Sequence, residues 1–457
     1  MPPIITRQSL QDLTKEELIE IILVLYEEIQ RLKKDSTTSS KPPSSDGPNV
    51  PKKNQSLRKK SGRKSGGQTG HTGHTRIQSD TPNIIVPCHP DSCISCGHSL
   101  EKIPGMIIGK RQEFDIPPIE PIITEYQQHG VSCPHCHTLT IGVYPEHITA
   151  PVQFGINVKS FTTYLNVRHK IPFLRLTEIF SDILHTTVSQ GTIENILNQY
   201  HAKCTPLKKI ILLMIKAGKW VGSDETGEHV NGKKWWLWIW QNLKGSYYAF
   251  SASRGYQVVL EHFGTDYTGT LGHDCWAAQN NTLAAAGHQL CHVHLMRDLN
   301  FRIEAYQSAW CYQMRKFLLA SERAREIIWA EGFNEVIRNQ AIKEYSQKLT
   351  TLIEVPLSSI KEVATLQKRF RKHQEKILHF MKFSDVPFHN NSSEQAVRTA
   401  KVHQKVSGGF RSETGAIRHA DILSVIETCR KQGLDVLESL RRIHLGTFSF
   451  EGDGVKT

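Results

Sequence analysis

Long hydrophobic runs are missing from this sequence of 457 residues. The longest apolar run near its start, Ile21 to Tyr26, is far too short for a bilayer, which takes about 20 residues. No basic patch followed by an apolar stretch and a small-residue cleavage site opens the chain. We therefore expect a cytoplasmic protein with no membrane partner.

Acidic residues are fewer than basic ones, with 44 Asp and Glu against 56 Lys and Arg, so the net charge is +12. This excess favours a polyanionic partner, nucleic acid first and an anionic membrane surface second. Residues 36–80 are rich in Ser, Pro, Gly and basic residues, and no acid lies between 50 and 79. They predict a disordered basic arm that neutralises DNA phosphates, although a plain soluble linker fits equally. The candidate DNA contacts in the arm are Lys52, Lys53, Arg58, Lys59, Lys60, Arg63 and Lys64.

The ten cysteines do not have the distribution of a small disulfide-bonded secreted domain. Four of them form two C-x-x-C knuckles, Cys93 with Cys96 and Cys133 with Cys136. Each knuckle supplies half of a tetrahedral zinc site, so we expect one structural zinc in residues 81–150. Thiol redox chemistry is the alternative, but two pairs argue against it, and Cys88 is a weaker candidate ligand.

The 36 residues between the two knuckles have a β-like sequence, for example Arg111 to Ile116 and Ile122 to Tyr126. This gap is longer than the common spacing of about 15–20 residues. It predicts a small ribbon, closed by the knuckles, that contains a hairpin.

Two segments are expected to be helical before the main sheet. Residues 1–35 carry an apolar stripe with a Thr14 N-cap, which predicts either a self-associating coiled coil or one amphipathic helix packed on its own protein. Residues 151–212 contain a helix over 175–184 and another from 189, capped by Ser189 or Thr192. The pair resembles a DNA-reading helix-turn-helix, which ordinary helical hairpins imitate.

Three distant carboxylates are the strongest chemical signal. Asp224 lies in the first of three successive strand-like runs, which suggest an antiparallel start to a mixed sheet with tryptophans in its packing. Asp274 follows fifty positions later, and Glu394 opens a helical pattern. Three acids from separate elements can hold two divalent cations against a phosphodiester. Glu225 should point to the opposite sheet face from Asp224. Asp266 and Asp298 are alternatives to Asp274 as the second acid of the metal site.

Around Glu394 the sequence predicts a helix capped by Ser392 or Ser393. Arg398 and Lys401 share its face, which could hold a metal and a DNA phosphate together. The alternative to such a binding site is an ordinary surface helix stabilised by salt bridges. Residues 295–385 read as an all-α insertion between the second and third acids, and Cys291 and His294 are interpreted as structural residues beside the pocket.

Together these motifs resemble the transposases of the insertion sequence sixty-six family, a branch of the DDE transposases. The resemblance covers nearly the whole chain, from the zipper-like helix through the knuckles to Asp224, Asp274, Glu394 and Gly408-Gly409. It implies a multidomain α+β protein whose ribonuclease-H-like α/β core occupies 213–294 and 386–445, with a flexible tail at 446–457. The implied metal ligands are Asp224, Asp274 and Glu394. Lys401 becomes a DNA contact, and Cys291 and His294 match the family's C-x-x-H signature.

The resemblance further implies a bacterial, nucleoid-associated enzyme that binds terminal inverted repeats and target DNA. Two Mg²⁺ ions, or Mn²⁺, would support strand cleavage and 3′-OH strand transfer. A homo-oligomer and accessory proteins from the same element are the expected partners. Two alternatives stay open: a metal-dependent nuclease without strand transfer, and a non-catalytic DNA-binding regulator.

Overall fold

The structure is a computed structural model that describes residues 13–32, 70, 72, 76–284, 286–330 and 334–450. Contacts divide the chain into two units, one of residues 54–122 and one of residues 1–53 with 123–457. The seven basic residues predicted to bind DNA in the arm, from Lys52 to Lys64, lie outside the described residues. Among the described helices, none combines the length and the apolar character needed to cross a bilayer.

The first described helix, α1 (Lys15–Leu32), begins at the predicted cap. The Thr14 hydroxyl accepts the backbone N–H of Glu17 at 3.3 Å, and the Glu17 carboxylate accepts the backbone N–H of Thr14 at 2.8 Å. This reciprocal pairing satisfies two donors of the first turn. Apolar side chains of α1 such as Ile22 and Tyr26 are exposed, and self-association through them stays a prediction.

The prediction of a β-hairpin between the two knuckles is wrong about where the strands lie. All of residues 101–129 are described, and no strand lies among them. In the larger unit, β1 (Gly130–Ser132) and β2 (Leu139–Ile141) instead flank the second knuckle, paired antiparallel. In the smaller unit, a single bridge joins Ser92 to Ser99 around the first knuckle. Each knuckle is thus closed by the residues on either side of it, which leaves the intervening segment without a strand partner.

Helical structure precedes the sheet as predicted, but the second helix of the supposed helix-turn-helix is not short. The elements are α2 (Ile156–Thr163), a π-helical turn (Tyr164–Arg168), α3 (Phe173–Asp182) and α4 (Gln190–Lys216). Ser189 is the cap of α4, since its hydroxyl accepts the backbone N–H of Thr192 at 3.1 Å. With 27 residues, α4 continues across position 212, which was predicted to be a domain boundary. Its buried face belongs to the main hydrophobic core.

The central sheet is mixed and has five strands in the order β5-β4-β3-β6-β7. The first three strands form an antiparallel meander, as predicted, while β6 and β7 run parallel to β3. Trp238 and Trp240 of the meander are fully buried and stacked 5.8 Å apart, which confirms their place in the core. The strands are β3 (Trp220–Val230), β4 (Lys233–Gln241), β5 (Ser246–Ser251), β6 (Thr270–His273) and β7 (Gly287–Leu290).

Two hydrophobic clusters support the larger unit. One contains the sheet meander with α4 and the C-terminal helices, and the other contains the helices of the insertion. In residues 295–330 and 334–385, where an all-α insertion was predicted, the described regular elements are α-helices and two short 3₁₀ turns near the end. The remaining helices are α5 (Tyr256–His262), α6 (Ala277–Asn280), α7 (His292–Tyr306), α8 (Ala309–Ile328), α9 (Glu335–Ile353), α10 (Lys361–Lys372), α11 (Asn391–Ser407), α12 (Glu413–Lys431) and α13 (Val436–Leu445).

Helix α11 is fastened to the middle of the sheet at its first turn. The side-chain amide of Asn390 donates to the backbone oxygen of Ser223 in β3 at 2.7 Å. The prediction that Ser392 or Ser393 caps this helix is wrong, because Asn390 occupies the cap position. The two serine hydroxyls instead accept hydrogen bonds from Gln241 of β4, at 2.7 and 2.9 Å.

We expect Gly222→Ala to destabilise the larger unit. A Cβ at this position would lie 2.5 Å from both the Asn390 amide oxygen and the Ser393 hydroxyl, so helix α11 would have to shift. Overpacking of this kind costs about 1–3 kcal/mol, measurable by urea denaturation. Gly227→Ala in the same strand is the control, since its Cβ meets only the flexible end of Lys234 at 3.5 Å. Equal loss in both variants would contradict the anchoring contact.

Candidate functional site

Three separate elements bring the predicted acids to one region. Strands β3 and β6 are parallel neighbours in which Gly222 pairs with Gly272. Continuing this register by two residues places Asp224 level with Asp274, which directly follows the last residue of β6. Paired strands lie about 4.8 Å apart, so the two carboxylates come from adjacent positions. Glu394 lies in the first turn of α11, whose start is bonded to Ser223.

Electrostatics confirm that these acids act on one another. Burial raises the pKa of Asp224 well above its usual value, and the negative charges of Asp274, Glu225 and Glu394 raise it further. A backbone N–H of Glu225, donated to the Asp224 carboxylate at 2.8 Å, offsets part of this effect. Asp274 accepts one backbone hydrogen bond, from Trp276 at 3.0 Å. The cluster therefore carries more negative charge than its own donors compensate.

Glu225 is engaged elsewhere, on the other side of the strand from Asp224. Its carboxylate accepts two hydrogen bonds from the Arg254 guanidinium, at 3.0 and 2.6 Å, and one from Gln279 at 3.1 Å. The guanidinium also stacks over the Trp276 ring, 3.6 Å from its centroid. Glu225 is thus a buried acid with its own cation, although burial and the charge of Asp274 still raise its pKa.

The two competing aspartates have structural partners away from this cluster. Asp266 is exposed and pairs with Lys216, whose hydrogen bond lowers the pKa of the carboxyl. Asp298 pairs with Arg302 at 3.5 Å and also with Arg369. Neither contributes to the shift of Asp224. The choice of Asp274 over these two is therefore favoured by its position, while its role as a metal ligand stays a prediction.

Glu394 has cationic neighbours on two sides. Its Oε2 lies 3.4 Å from Arg398, as the predicted shared helix face requires, and 3.8 Å from Arg297 of α7. Its Oε1 lies 3.6 Å from Nδ1 of His294. Within the described part of the chain, neither Oε1 nor this Nδ1 has a hydrogen-bond partner, although both atoms are buried.

Cys291 and His294 lie closer to the acids than the sequence indicated. One ligand atom each of Cys291, His294 and Glu394 lies within 4.8 Å of the other two, a distance compatible with one shared ion. Burial raises the pKa of the Cys291 thiol to about 12. The sequence reasoning interpreted the cysteine and histidine as structural because no further ligand stands near them in the chain. The third ligand comes from about 100 positions later, and only the return of the chain after the insertion brings it there.

The two predicted DNA contacts on α11 differ in their surroundings. Arg398 is 63% exposed, so its guanidinium is accessible to a phosphate. Lys401 is half-buried and donates to the backbone oxygen of Gly227 in β3. Burial lowers the pKa of Lys401, against the opposing effect of the Glu228 carboxylate. A DNA contact by either residue stays a prediction, and Lys401 would first have to give up a bond to the sheet.

Each cysteine knuckle has the local geometry that favours thiolates. Backbone N–H groups of Cys96 and Ser95 lower the pKa of Cys93. The side chain and then the backbone of Thr138 lower the pKa of Cys136. Thiolate, not thiol, is the zinc ligand, so both knuckles are prepared for metal. The two knuckles lie in different units of the chain, and their joint four-thiolate site stays a prediction.

Comparison with known proteins agrees with the motifs. The model of the transposase IS66 family matches residues 151–418, more than half of the sequence. The chain therefore belongs to the transposase IS66 family, as its motifs predicted. Residues 90–137 match the zinc-finger binding domain of transposase IS66, and residues 7–77 match a family of unknown function.

One curated relative is the uncharacterized protein y4jO of Sinorhizobium fredii (strain NBRC 101917 / NGR234). It is 32% identical to this chain over 69 residues, which are 15% of this chain. The match spans 22% of the length of that relative.

The Arg254–Glu225 pair gives a prediction about stability. Arg254→Ala leaves a buried carboxylate without its cation, and we expect it to cost about 2–3 kcal/mol. This is less than for a fully buried pair, because the Arg254 side chain is 30% exposed. Arg254→Ala with Glu225→Gln should recover part of the loss in urea denaturation. Arg398→Ala removes an exposed guanidinium and leaves Arg297 beside Glu394, so it is the control and should cost under about 1 kcal/mol.

A second prediction concerns pH. Since the pKa of Asp224 is raised on folding, its ionisation opposes folding at every pH above the unfolded value of about 3.9. We expect Asp224→Asn to raise the melting temperature of the magnesium-free protein by a few degrees at pH 7. The gain should shrink as the pH falls toward about 4 and vanish about one to two units lower, where the wild-type carboxyl is protonated in both states. Asp266→Asn, which removes an exposed carboxylate, should bring no gain; an equal gain from both would refute the assignment.

Proposed function

We propose that this chain is a DNA transposase that cleaves the ends of an insertion sequence and joins them to target DNA. The observation that carries the proposal is the convergence of Asp224, Asp274 and Glu394 in one electrostatically coupled cluster, in a member of the transposase IS66 family. The three acids come from β3, the end of β6 and the first turn of α11.

The sheet supports a ribonuclease-H-like core for this chemistry. Its order β5-β4-β3-β6-β7 combines an antiparallel meander with two parallel strands on the other side of the first strand. This is the arrangement expected for such a core, with the acids on the first strand, after the fourth strand and on a later helix. The helical insertion between β7 and α11 fits the same scheme.

The acidic cluster fits divalent cations. Burial and then its acidic neighbours raise the pKa of Asp224, and the described residues around it supply no cation in direct contact with its carboxylate. A hard divalent ion such as Mg²⁺ or Mn²⁺ prefers carboxylate oxygens and would neutralise this charge. When bound, two such ions activate the attacking oxygen and stabilise the leaving oxygen of a phosphodiester.

The protein's own groups would position the substrate around that cluster. Arg297 and Arg398 hold Glu394 by one oxygen, and the exposed Arg398 can also meet a phosphate. The zinc module, the helices before the sheet and the basic arm would bind terminal inverted repeats and target DNA. Self-association through α1 and accessory proteins of the same element belong to this proposal, as does a cytoplasmic, nucleoid-associated location.

The triad is tested by Asp224→Asn, Asp274→Asn and Glu394→Gln. Each removes one oxygen ligand with little change in size, so each should lower strand cleavage of element ends by at least about 100-fold while end binding persists. Cleavage is measured on labelled terminal repeats in magnesium, and binding by gel shift. The controls are Asp266→Asn and Asp298→Asn, which remove carboxylates paired elsewhere and should leave cleavage intact.

Pre-cut ends separate the proposal from its alternatives. Wild-type protein supplied with ends that already carry a free 3′-OH should insert them into target DNA. Cleavage without insertion would assign the chain as a nuclease, and end binding without either reaction would assign it as a regulator. Normal cleavage by any one triad variant would remove that residue from the site.

A further inference from the structure

We infer that Cys291, His294 and Glu394 form a binding site for a transition-metal cation of the zinc type, separate from the magnesium-binding role proposed for the three acids. One ligand atom of each residue lies within 4.8 Å of the other two. The inference concerns metal binding only and does not depend on any reaction with DNA.

Two unsatisfied polar atoms point to a missing ligand. His294 Nδ1 and Glu394 Oε1 are both buried, find no hydrogen-bond partner among the described residues and lie 3.6 Å apart. Buried polar atoms are rarely left unpaired, so each such atom calls for an explanation. For two zinc bonds of about 2.0–2.1 Å at the tetrahedral angle, the ligand atoms are about 3.4 Å apart. An ion between this nitrogen and oxygen would therefore satisfy both atoms with little movement.

The sulfur of Cys291 is arranged as a metal-bound sulfur would be. It stands at the N-cap of α7 and accepts the backbone N–H of Asn390 at 3.2 Å. A backbone N–H donated to the sulfur is the kind of contact that orients a metal-ligating cysteine.

Glu394 divides its two oxygens between different partners. Arg297 and Arg398 lie near Oε2, at 3.8 and 3.4 Å, whereas Oε1 faces His294. Cations that hold the outer oxygen of a ligating carboxylate fix its orientation toward the metal. The arginines therefore leave Oε1 available for an ion.

The ligand types select the metal. Sulfur, imidazole nitrogen and carboxylate oxygen together suit Zn²⁺, while Mg²⁺ does not take thiolate. Three protein ligands leave a fourth tetrahedral position for water or another oxygen. The Glu394 carboxylate that we propose as a magnesium ligand is thus also within reach of a softer ion through Oε1.

The test compares metal content in the full-length protein. Wild type and variants are saturated with zinc, freed of excess ion by gel filtration and analysed for zinc per chain. We expect Cys291→Ser and His294→Ala each to hold one ion fewer than wild type. Cys311→Ser, which removes a buried thiol from α8, is the matched control and should keep the full complement. Equal zinc content in wild type and both site variants would overturn the inference.

Two further measurements separate loss of the zinc site from misfolding and from failure of the proposed function. If the site variants fail to fold, zinc-edge anomalous diffraction from wild-type crystals should show a peak between Cys291, His294 and Glu394, and its absence would refute the site. Asp274→Asn should keep this zinc while losing strand cleavage. A variant that keeps both would therefore count against the proposed function and leave the zinc site standing.

Discussion

The attachment of the first turn of α11 to strand β3 is the constraint on which the site depends. Asn390 reaches the backbone of Ser223, one residue before Asp224, and the two following serines are held by Gln241. The approach is close enough that only glycine fits at position 222. Glu394 is therefore held near the aspartates by side-chain contacts of the first turn of its helix, and Lys401 adds a bond to Gly227 of β3 further along.

This attachment brings the carboxylates of Glu394 and the aspartates together. Their mutual repulsion opposes folding. Asp224 is partly buried beside Asp274 and Glu225, and burial and the charges of these acids raise the pKa of Asp224, with no opposing cation among the described residues. Glu225 shows the contrast, because Arg254 and Gln279 satisfy its carboxylate. Perturbed pKa values of this kind cluster at functional sites. The uncompensated charge of the acidic cluster supports the proposal that it binds divalent cations.

Local sequence patterns predicted the strands and helices that carry the acids. They did not predict the long-range contacts that bring these elements together. The alternation around Trp238 and the cap at Ser189 depend on neighbouring residues, so both were readable. The sheet order depends on parallel pairing between strands some fifty residues apart, for which the resemblance was needed. The serine cap failed because Gln241, more than 150 positions away, takes the hydroxyls that local preference assigns to capping. The hairpin between the knuckles failed because alternation alone supplies no strand partner.

The two ends of the helical insertion lie next to each other at the edge of the sheet region. The backbone N–H of His292 donates to the Phe388 oxygen at 2.9 Å, and the Asn390 N–H donates to the Cys291 sulfur. This pair of hydrogen bonds therefore joins the residues where the chain leaves the sheet to those where it returns. The helices between these residues pack around a hydrophobic core of their own. Glu394 is positioned where the chain returns to the sheet, with Asn390 bonded to β3 and Arg297 of α7 beside the carboxylate. A metal shared by Cys291, His294 and Glu394 would hold the two ends of the insertion together, since its ligands come from both of them.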